Sequence, residues 1–238
     1  MIIRLLVFGL RNATGGGWGT TMQRRALRTR RRVLEAAAVV FESRGFASTS
    51  ISDVLRSAQV TKGALYFHFE SKEALARGVM EEQKRSLILT NTGSHTQTVI
   101  DITQGVARLL RRDPVLRASI RLTVEQGAMG SNDPSVHQWW LGVCRTHLHQ
   151  AERAGELNAD AGPDDLAHLV VGSLFGVQLL SQVLTRRVDL VARVTTWWST
   201  LLPGMVSERV LPRLDPRGSA DLLARLNGIR RGEEASVR

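Results

Sequence analysis

Apolar residues recur at helical spacing along most of this chain. Between Leu27 and Arg44, for example, Val33, Ala37 and Phe41 follow one another every four residues, which places them on one face of a helix. No stretch alternates in a sustained way between apolar and polar residues, and no Asn-Gly or Asp-Gly pair joins two β-branched runs. Strands and hairpins usually carry those signals. The pattern therefore predicts an all-α fold.

Small polar residues and one glycine mark the boundaries of the first helices. They are Gly45 after the first helix, Ser50 with Asp53 as a capping box, Thr61 before a short third helix, and Ser71 before a fourth helix over 71–88. Side chains of this kind accept hydrogen bonds from the free N–H groups of a helix start. The first three helices predict a compact helix-turn-helix domain over residues 22–70.

The rest of the chain predicts longer helices. Asp-Pro pairs at 113–114 and 133–134 and the Gly-Pro pair at 162–163 are typical helix starts. We expect helices over about 99–112, from Pro114 onward, over 134–154, over 163–185 and over 189–211. Residues 71–212 then form a second domain, and 213–238 a polar tail for which no element is predicted.

The two most apolar stretches do not read as membrane anchors. The run MIIRLLVFGL at the N-terminus is interrupted by Arg4 and is followed by a Gly-rich stretch without a cleavage signal. We expect residues 1–21 to be a disordered or mis-assigned extension, with Met22 as the true start. The run 166–184 contains His168, Ser173 and Gln178, so it suits a protein–protein helix better than a lipid-facing one. No membrane partner is expected.

Charge and cysteine content narrow the partners. The formal net charge is +10, and six arginines fall within residues 24–32, directly before the helix-turn-helix candidate. Such a cluster favours phosphate contact. Cys144 is the single cysteine, so no intrachain disulfide forms, which fits a cytoplasmic protein.

The third helix has the residue types that a DNA major groove requires. Gly63 permits close approach to the backbone, and Thr61 at the helix start offers hydroxyl and N–H groups to a phosphate. Leu65, Phe67 and Phe69 are expected to pack inward. The remaining candidates for contact with double-stranded DNA are Arg28, Thr49, Lys62, Tyr66, His68 and Lys72.

Residues 28–75, and above all VTKGALYFHFESKEAL, resemble the N-terminal domain of TetR-type repressors. Within that family, TKGALYFHF and the later DPVLRASIRL are most similar to the γ-butyrolactone receptors of actinomycetes. The resemblance implies an all-helical homodimer that binds an inverted-repeat operator as a repressor, often of antibiotic-related genes. It also implies that a small-molecule effector, of the γ-butyrolactone, butenolide or furan type, releases the DNA.

An effector site follows from the same resemblance. Trp140 matches a tryptophan that lines the ligand cavity of butyrolactone receptors, and it shares a helix face with Val136 and Val143 by spacing. The resemblance also places Leu122, Thr123 and His137 near the cavity. The full set of candidates is Leu122, Thr123, His137, Trp140, Val143, Ser173, Phe175 and Gln178.

Small residues Gly172, Ser173 and Gly176 on the helix 163–185 allow close approach of another helix. Together with Trp197, Trp198, Leu201 and Leu202 of the next helix, they predict a four-helix interface between two copies of the chain.

The sequence disfavours a metal site and an enzyme, and it leaves two alternative functions open. A metal site at Cys144, His147 and His149 is disfavoured because the two histidines point about 200° apart on a helix, and no cofactor is expected. No catalytic motif is found, so an enzyme is not expected. The alternatives left open are a TetR-type regulator that responds to an antibiotic or another ligand, and a helical ligand-binding protein without DNA function.

Overall fold

The computed structural model describes residues 17–158, 160 and 162–236 of the chain. These described residues form ten α-helices in succession, with three short 3-10 turns at Glu82–Ser86, Gln126–Met129 and Leu211–Arg213. The α-helices are α1 Gly17–Arg44, α2 Ile51–Ala58, α3 Lys62–Tyr66, α4 Lys72–Glu81, α5 His95–Leu110, α6 Pro114–Val124, α7 Ser135–Arg153, α8 Pro163–Thr185, α9 Leu190–Met205 and α10 Ala220–Ser236. The expected all-α fold is confirmed, since the described residues contain no strand beyond an isolated bridge between Leu157 and Val206.

The predicted helix caps are present as hydrogen bonds. The hydroxyl of Ser50 accepts from the backbone N–H of Asp53 at 3.1 Å, and the Asp53 carboxylate accepts from the Ser50 N–H at 3.1 Å, which completes the capping box. Thr61 accepts from Ala64 N–H at 3.2 Å at the start of α3. These local contacts fix the turn between α2 and α3 and so set the direction of the short third helix.

Several boundaries differ from the sequence-based prediction. Helix α1 begins at Gly17, ten residues earlier than predicted, since the segment before Leu27 contains no proline that would break a helix. Residues 1–16 of the predicted extension lie outside the described part of the chain. Helix α5 begins at His95, four residues before the predicted start at 99, since Ser94 caps it at Gln97 N–H.

The C-terminal segment is helical where no element was predicted. Leu222 of α10 is fully buried, and the buried carboxylate of Asp101 on α5 accepts hydrogen bonds from the backbone and the hydroxyl of Ser219. Because these contacts join residues more than a hundred positions apart, local sequence signals did not reveal them. The segment thus packs on the second domain.

The two domains meet where α1 lies against α6. Glu42 near the end of α1 forms an ion pair with Arg117 of α6, and the carboxylate of Glu125 accepts a hydrogen bond from Phe46 N–H at 2.8 Å. Both contacts are partly buried. The first domain is therefore held by directional polar contacts as well as by apolar packing.

Candidate functional site

The first candidate surface is the exposed side of α3, formed by Lys62, Gly63 and Tyr66. The ammonium of Lys62 lies 5.8 Å from the centre of the Tyr66 ring. An added Cβ at Gly63 would meet no atom within 4 Å, so nothing within the protein requires glycine there. This face is free to approach a groove closely.

The other predicted DNA contacts lie around α3 with different exposure. Arg28 and Thr61 are exposed, and Lys72 is half-buried, with its ammonium 4.3 Å from the Phe46 ring centre. His68 is half-buried, and burial, followed by the nearby charge of Arg30, lowers the pKa of its imidazole. Both effects favour the neutral imidazole.

Two expectations for this region are corrected. Thr49 is buried and its hydroxyl donates to the carbonyl of Gly45 at 2.7 Å, so it stabilises the turn and does not face a phosphate. Phe67 is 78% exposed, whereas Leu65 and Phe69 are buried as expected. Phe67 is the C-cap residue of α3 and keeps helical backbone angles, but its side chain lies on the solvent side of the turn, away from Leu65 and Phe69.

The second candidate site is a cavity between α5, α6, α7 and α8. It is lined by Gln83, Ile102, Thr103, Val106, Leu110, Leu116, Ile120, Trp140, Cys144, Val170, Val171, Leu174, Phe175 and Gln178. The free space is about 30 Å³, which accommodates a water molecule or two, whereas sites for drug-sized ligands span roughly 300–1,000 Å³. The cavity therefore has to widen before it accepts an effector.

Three of the eight predicted effector contacts line this cavity, namely Trp140, Phe175 and Gln178. Thr123 is one step removed, because its hydroxyl accepts from the side chain of Gln83 at 2.8 Å. The His137 ring lies 5.1 Å from that of Phe175. Leu122, Val143 and Ser173 do not line the cavity.

Gln83 is the cavity residue that sequence reasoning missed. Its amide oxygen accepts from the indole Nε1–H of Trp140 at 3.2 Å, and its amide nitrogen donates to the Thr123 hydroxyl. Gln83 lies in the 3-10 turn that directly continues α4. The only sequence signal was a polar residue in an amphipathic helix, which ordinarily faces solvent. Here it joins the cavity wall to the helix that connects the two domains.

The remaining polar cavity groups are neutral or bound within the protein. The Thr103 hydroxyl accepts from the Trp198 indole N–H at 2.7 Å. Burial raises the pKa of the Cys144 thiol to about 12, so the thiol is protonated at neutral pH. No cluster of possible metal ligands occurs within the described residues.

The third candidate surface is the outer face of α8. Leu180, Val183 and Leu184 of α8 are 63–73% exposed, and Val188 follows at 69%. In the described part of the chain, α8 is the one helix that is long and apolar enough to cross a membrane by length and composition alone. Gly172 and Gly176 are exposed on it as well. Trp198 and Leu202 of α9 are buried within the chain, so these two belong to the chain's own core and not to the interface that we predicted.

Comparison with known proteins gives two family matches. Residues 33–79 match the family described as bacterial regulatory proteins, tetR family, and residues 93–207 match a tetracyclin repressor-like C-terminal domain. The A-factor receptor protein of Streptomyces griseus is 36% identical over 218 residues, which cover 91% of this chain and 78% of that protein.

Several solved structures of regulatory proteins are similar to this chain in fold and sequence. A TetR regulator from Streptomyces fradiae is 42% identical, with a TM-score of 0.75 over 81% of this chain and 93% of that one. A γ-butyrolactone receptor, described as ArpA-like, is 32% identical with a TM-score of 0.61 over 79% and 94% of the two chains. CprB from Streptomyces coelicolor, solved in complex with its operator sequence, is 31% identical with a TM-score of 0.64 over 79% and 94%.

Proposed function

Because this chain belongs to the TetR family of bacterial regulatory proteins, we propose that it is a ligand-responsive transcriptional repressor that binds operator DNA. The observation that carries the proposal is the pairing, in one chain, of an exposed glycine-containing α3 with a mostly apolar cavity. The similar proteins include receptors and an operator complex. This kinship supports a role in repressing antibiotic or other secondary-metabolite genes as a cytoplasmic protein.

DNA binding is assigned to α3 and to the arginines of α1. Lys62 and Tyr66 face outward on α3, and Thr61 presents the helix start, where N–H groups favour a phosphate. Gly63 leaves room for the DNA backbone. Arg28 supplies a further phosphate contact. Positioning by phosphates and reading of base edges are thus both available on one surface.

A homodimer is assigned to the outer face of α8. The exposed apolar side chains of Leu180, Val183 and Leu184 cost solvation free energy unless they are covered, and the exposed glycines permit close helix approach. A second copy related by a two-fold axis would pair α8 and α9 with their counterparts. It would also present two α3 helices to grooves about 34 Å apart or a multiple of that distance.

The effector is assigned to the cavity beside Trp140. A largely apolar wall with few polar groups suits a small molecule with an alkyl portion and a compact polar head. γ-Butyrolactones, butenolides and furans have this character, as do some antibiotics. Because the present free space is far smaller than such a ligand, binding must displace parts of the wall.

Gln83 gives this displacement a route to the DNA-binding domain. An effector that pushes against Trp140 strains the hydrogen bond from Trp140 to Gln83, and Gln83 lies in the turn continuous with α4. A shift of α4 changes the separation of the two α3 helices in the dimer. The effector need only favour one of two conformations of the protein.

Selection of DNA from a random pool by the purified protein tests this function. We expect an inverted repeat, bound with an affinity that falls steeply as salt rises. The bound duplex is then titrated with alkyl γ-butyrolactones, butenolides, furans and antibiotics while release is followed by fluorescence anisotropy. A monomer that selects no inverted repeat would refute the DNA-binding function and favour a ligand-binding protein without DNA function.

A further inference from the structure

Arg187 is an arginine buried behind the cavity wall. It follows the C-terminal end of α8 and is only 8% exposed. Its guanidinium Nη2 donates to the amide oxygen of Gln178 at 3.3 Å, and Gln178 lines the cavity. The Nε–H of Arg187 is buried without a hydrogen-bond partner among the described residues. Burying a guanidinium whose partner is a neutral amide costs free energy unless a further acceptor satisfies its remaining N–H groups.

The charge around Arg187 is not balanced. The carboxylate that acts on it is that of Glu42, which already forms the ion pair with Arg117. Arg117 itself opposes the charge of Arg187. Burial, followed by Arg117, lowers the pKa of the Arg187 guanidinium, although Glu42 raises it. Two arginines thus share one carboxylate, which leaves excess positive charge beside the cavity wall.

The position of Arg187 is fixed by the end of α8. Arg186 is the C-cap of that helix in the left-handed conformation, and Arg186 and Arg187 both have positive φ, at 51° and 66°. The N–H of Arg187 bonds to the Ser181 carbonyl at 3.0 Å, a contact typical of helix C-termini. The cap thus holds the backbone of Arg187 against the last turn of α8.

Gln178 transmits this polarity to the cavity. Because its amide oxygen accepts from Arg187, its NH₂ group is left as a donor, and no hydrogen bond of that group occurs within the described residues. The other polar wall groups, Gln83 and Thr103, are bound to Trp140, Thr123 and Trp198. Gln178 is therefore the wall residue with both a spare donor and a cation behind it.

We propose that the effector carries a carboxylate that binds at the Gln178–Arg187 end of the cavity, with its apolar portion directed towards Trp140 and Cys144. The proposal rests on the proposed function, since it specifies the effector of the same cavity: neutral lactones and butenolides lack the required group, whereas a furan or an antibiotic that bears a carboxylate has it. An anionic head accepts from the Gln178 amide and neutralises the excess charge of Arg187. Arg187 is a specificity-determining residue, because it distinguishes an acid from a neutral molecule of the same shape.

Binding of two matched probes to the DNA-free protein tests the proposal. Octanoate and octanamide have the same chain and nearly the same size but differ in charge. Isothermal titration calorimetry at pH 7 should give octanoate an affinity about tenfold higher or more, since hydrogen bonds to charged groups are the stronger ones. Equal affinities, or a preference for octanamide, would overturn the proposal without any variant.

Variants then locate the preference. Arg187→Met keeps the length of the side chain without the charge and should reduce the octanoate preference to within about threefold, whereas Arg187→Lys should retain part of it. The matched control is Arg186→Met, because Arg186 has the same backbone conformation but is exposed. An unchanged preference in folded Arg187→Met protein would overturn the proposal.

The two proposals fail separately. The probe titrations contain no DNA, so a carboxylate preference that is lost in Arg187→Met would stand even if no operator were found. Conversely, a protein that releases an operator equally well with neutral and with acidic ligands would retain the regulatory function and lose the acid specificity.

Discussion

Replacing Gln83 with methionine removes the hydrogen bonds that join Gln83 to Trp140 and to Thr123, with little change in side-chain volume. The indole N–H of Trp140, a residue 7% exposed, then has lost its acceptor, and a buried donor without a partner costs about 1–3 kcal/mol. The Thr123 hydroxyl loses less, because it still donates to the Ser119 carbonyl at 2.8 Å. We expect the free energy of unfolding to fall by about 1–3 kcal/mol.

Urea unfolding at a fixed protein concentration measures this loss. Gln138→Met is the matched control, because Gln138 lies exposed on α7 and surface substitutions usually change stability by less than about 0.5 kcal/mol. A double-mutant cycle with Trp140→Phe, which removes the N–H, should give a coupling of about 1 kcal/mol between the two sites.

The same variant tests the coupling between effector and operator. The ratio of operator affinities without and with saturating effector should be smaller for Gln83→Met than for the wild type, because the effector's displacement of Trp140 no longer pulls on the turn after α4. Fluorescence anisotropy with a labelled operator measures the ratio. Additive effects in the double-mutant cycle, together with an unchanged ratio of operator affinities, would refute the coupling through Gln83 and Trp140.

Three further predictions follow from the other sites. Lys62→Ala should weaken operator binding severalfold and reduce the slope of log affinity against log salt by about 0.9; anisotropy at several salt concentrations measures this, and an unchanged slope would exclude a phosphate contact. Val183→Glu, at a side chain 73% exposed, should give a monomer by sedimentation, whereas a persistent dimer would place the interface elsewhere. Burial raises the pKa of Glu156, but hydrogen bonds from Thr96, His95 and Ser94 outweigh it and bring the pKa below its ordinary value of 4.5. The stabilisation of the fold by the Glu156 carboxylate is thus complete above pH 4.5 and is lost as the pH falls through the lower folded-state pKa. Glu156→Gln should therefore flatten this part of an acid-unfolding curve. Equal curves for the variant and the wild type would contradict the assignment.

The sequence was most informative where the determining contacts are local. The caps at Ser50 and Thr61 bond to residues three positions away, so their spacing alone predicts them. Trp140 was found because a family resemblance and a helix face coincided. The α3 helix, the all-α class and the order of the long helices could therefore be predicted from the sequence.

Long-range contacts were not accessible in this way. Gln83 is hydrogen-bonded to Trp140, 57 positions away, and Gln104 to Pro216, 112 positions away. A glutamine in a sequence gives no indication of such a distant partner. Arg187 reads as one of many arginines until its burial is known. Phe67 was wrongly predicted to be buried because the prediction considered its apolar residue type and not its position at the end of a five-residue helix.

Helix α1 extends from the arginines of the first domain to the contact with α6 of the second domain. It is continuous for 28 residues, so Arg28 and Glu42 lie about 21 Å apart along its axis at a rise of 1.5 Å per residue. If α6 tilts the Glu42 end by about 5°, the Arg28 end swings by about 2 Å. Such a tilt of α6 beside the cavity would thus move Arg28 by more than the spread of ordinary hydrogen-bond lengths.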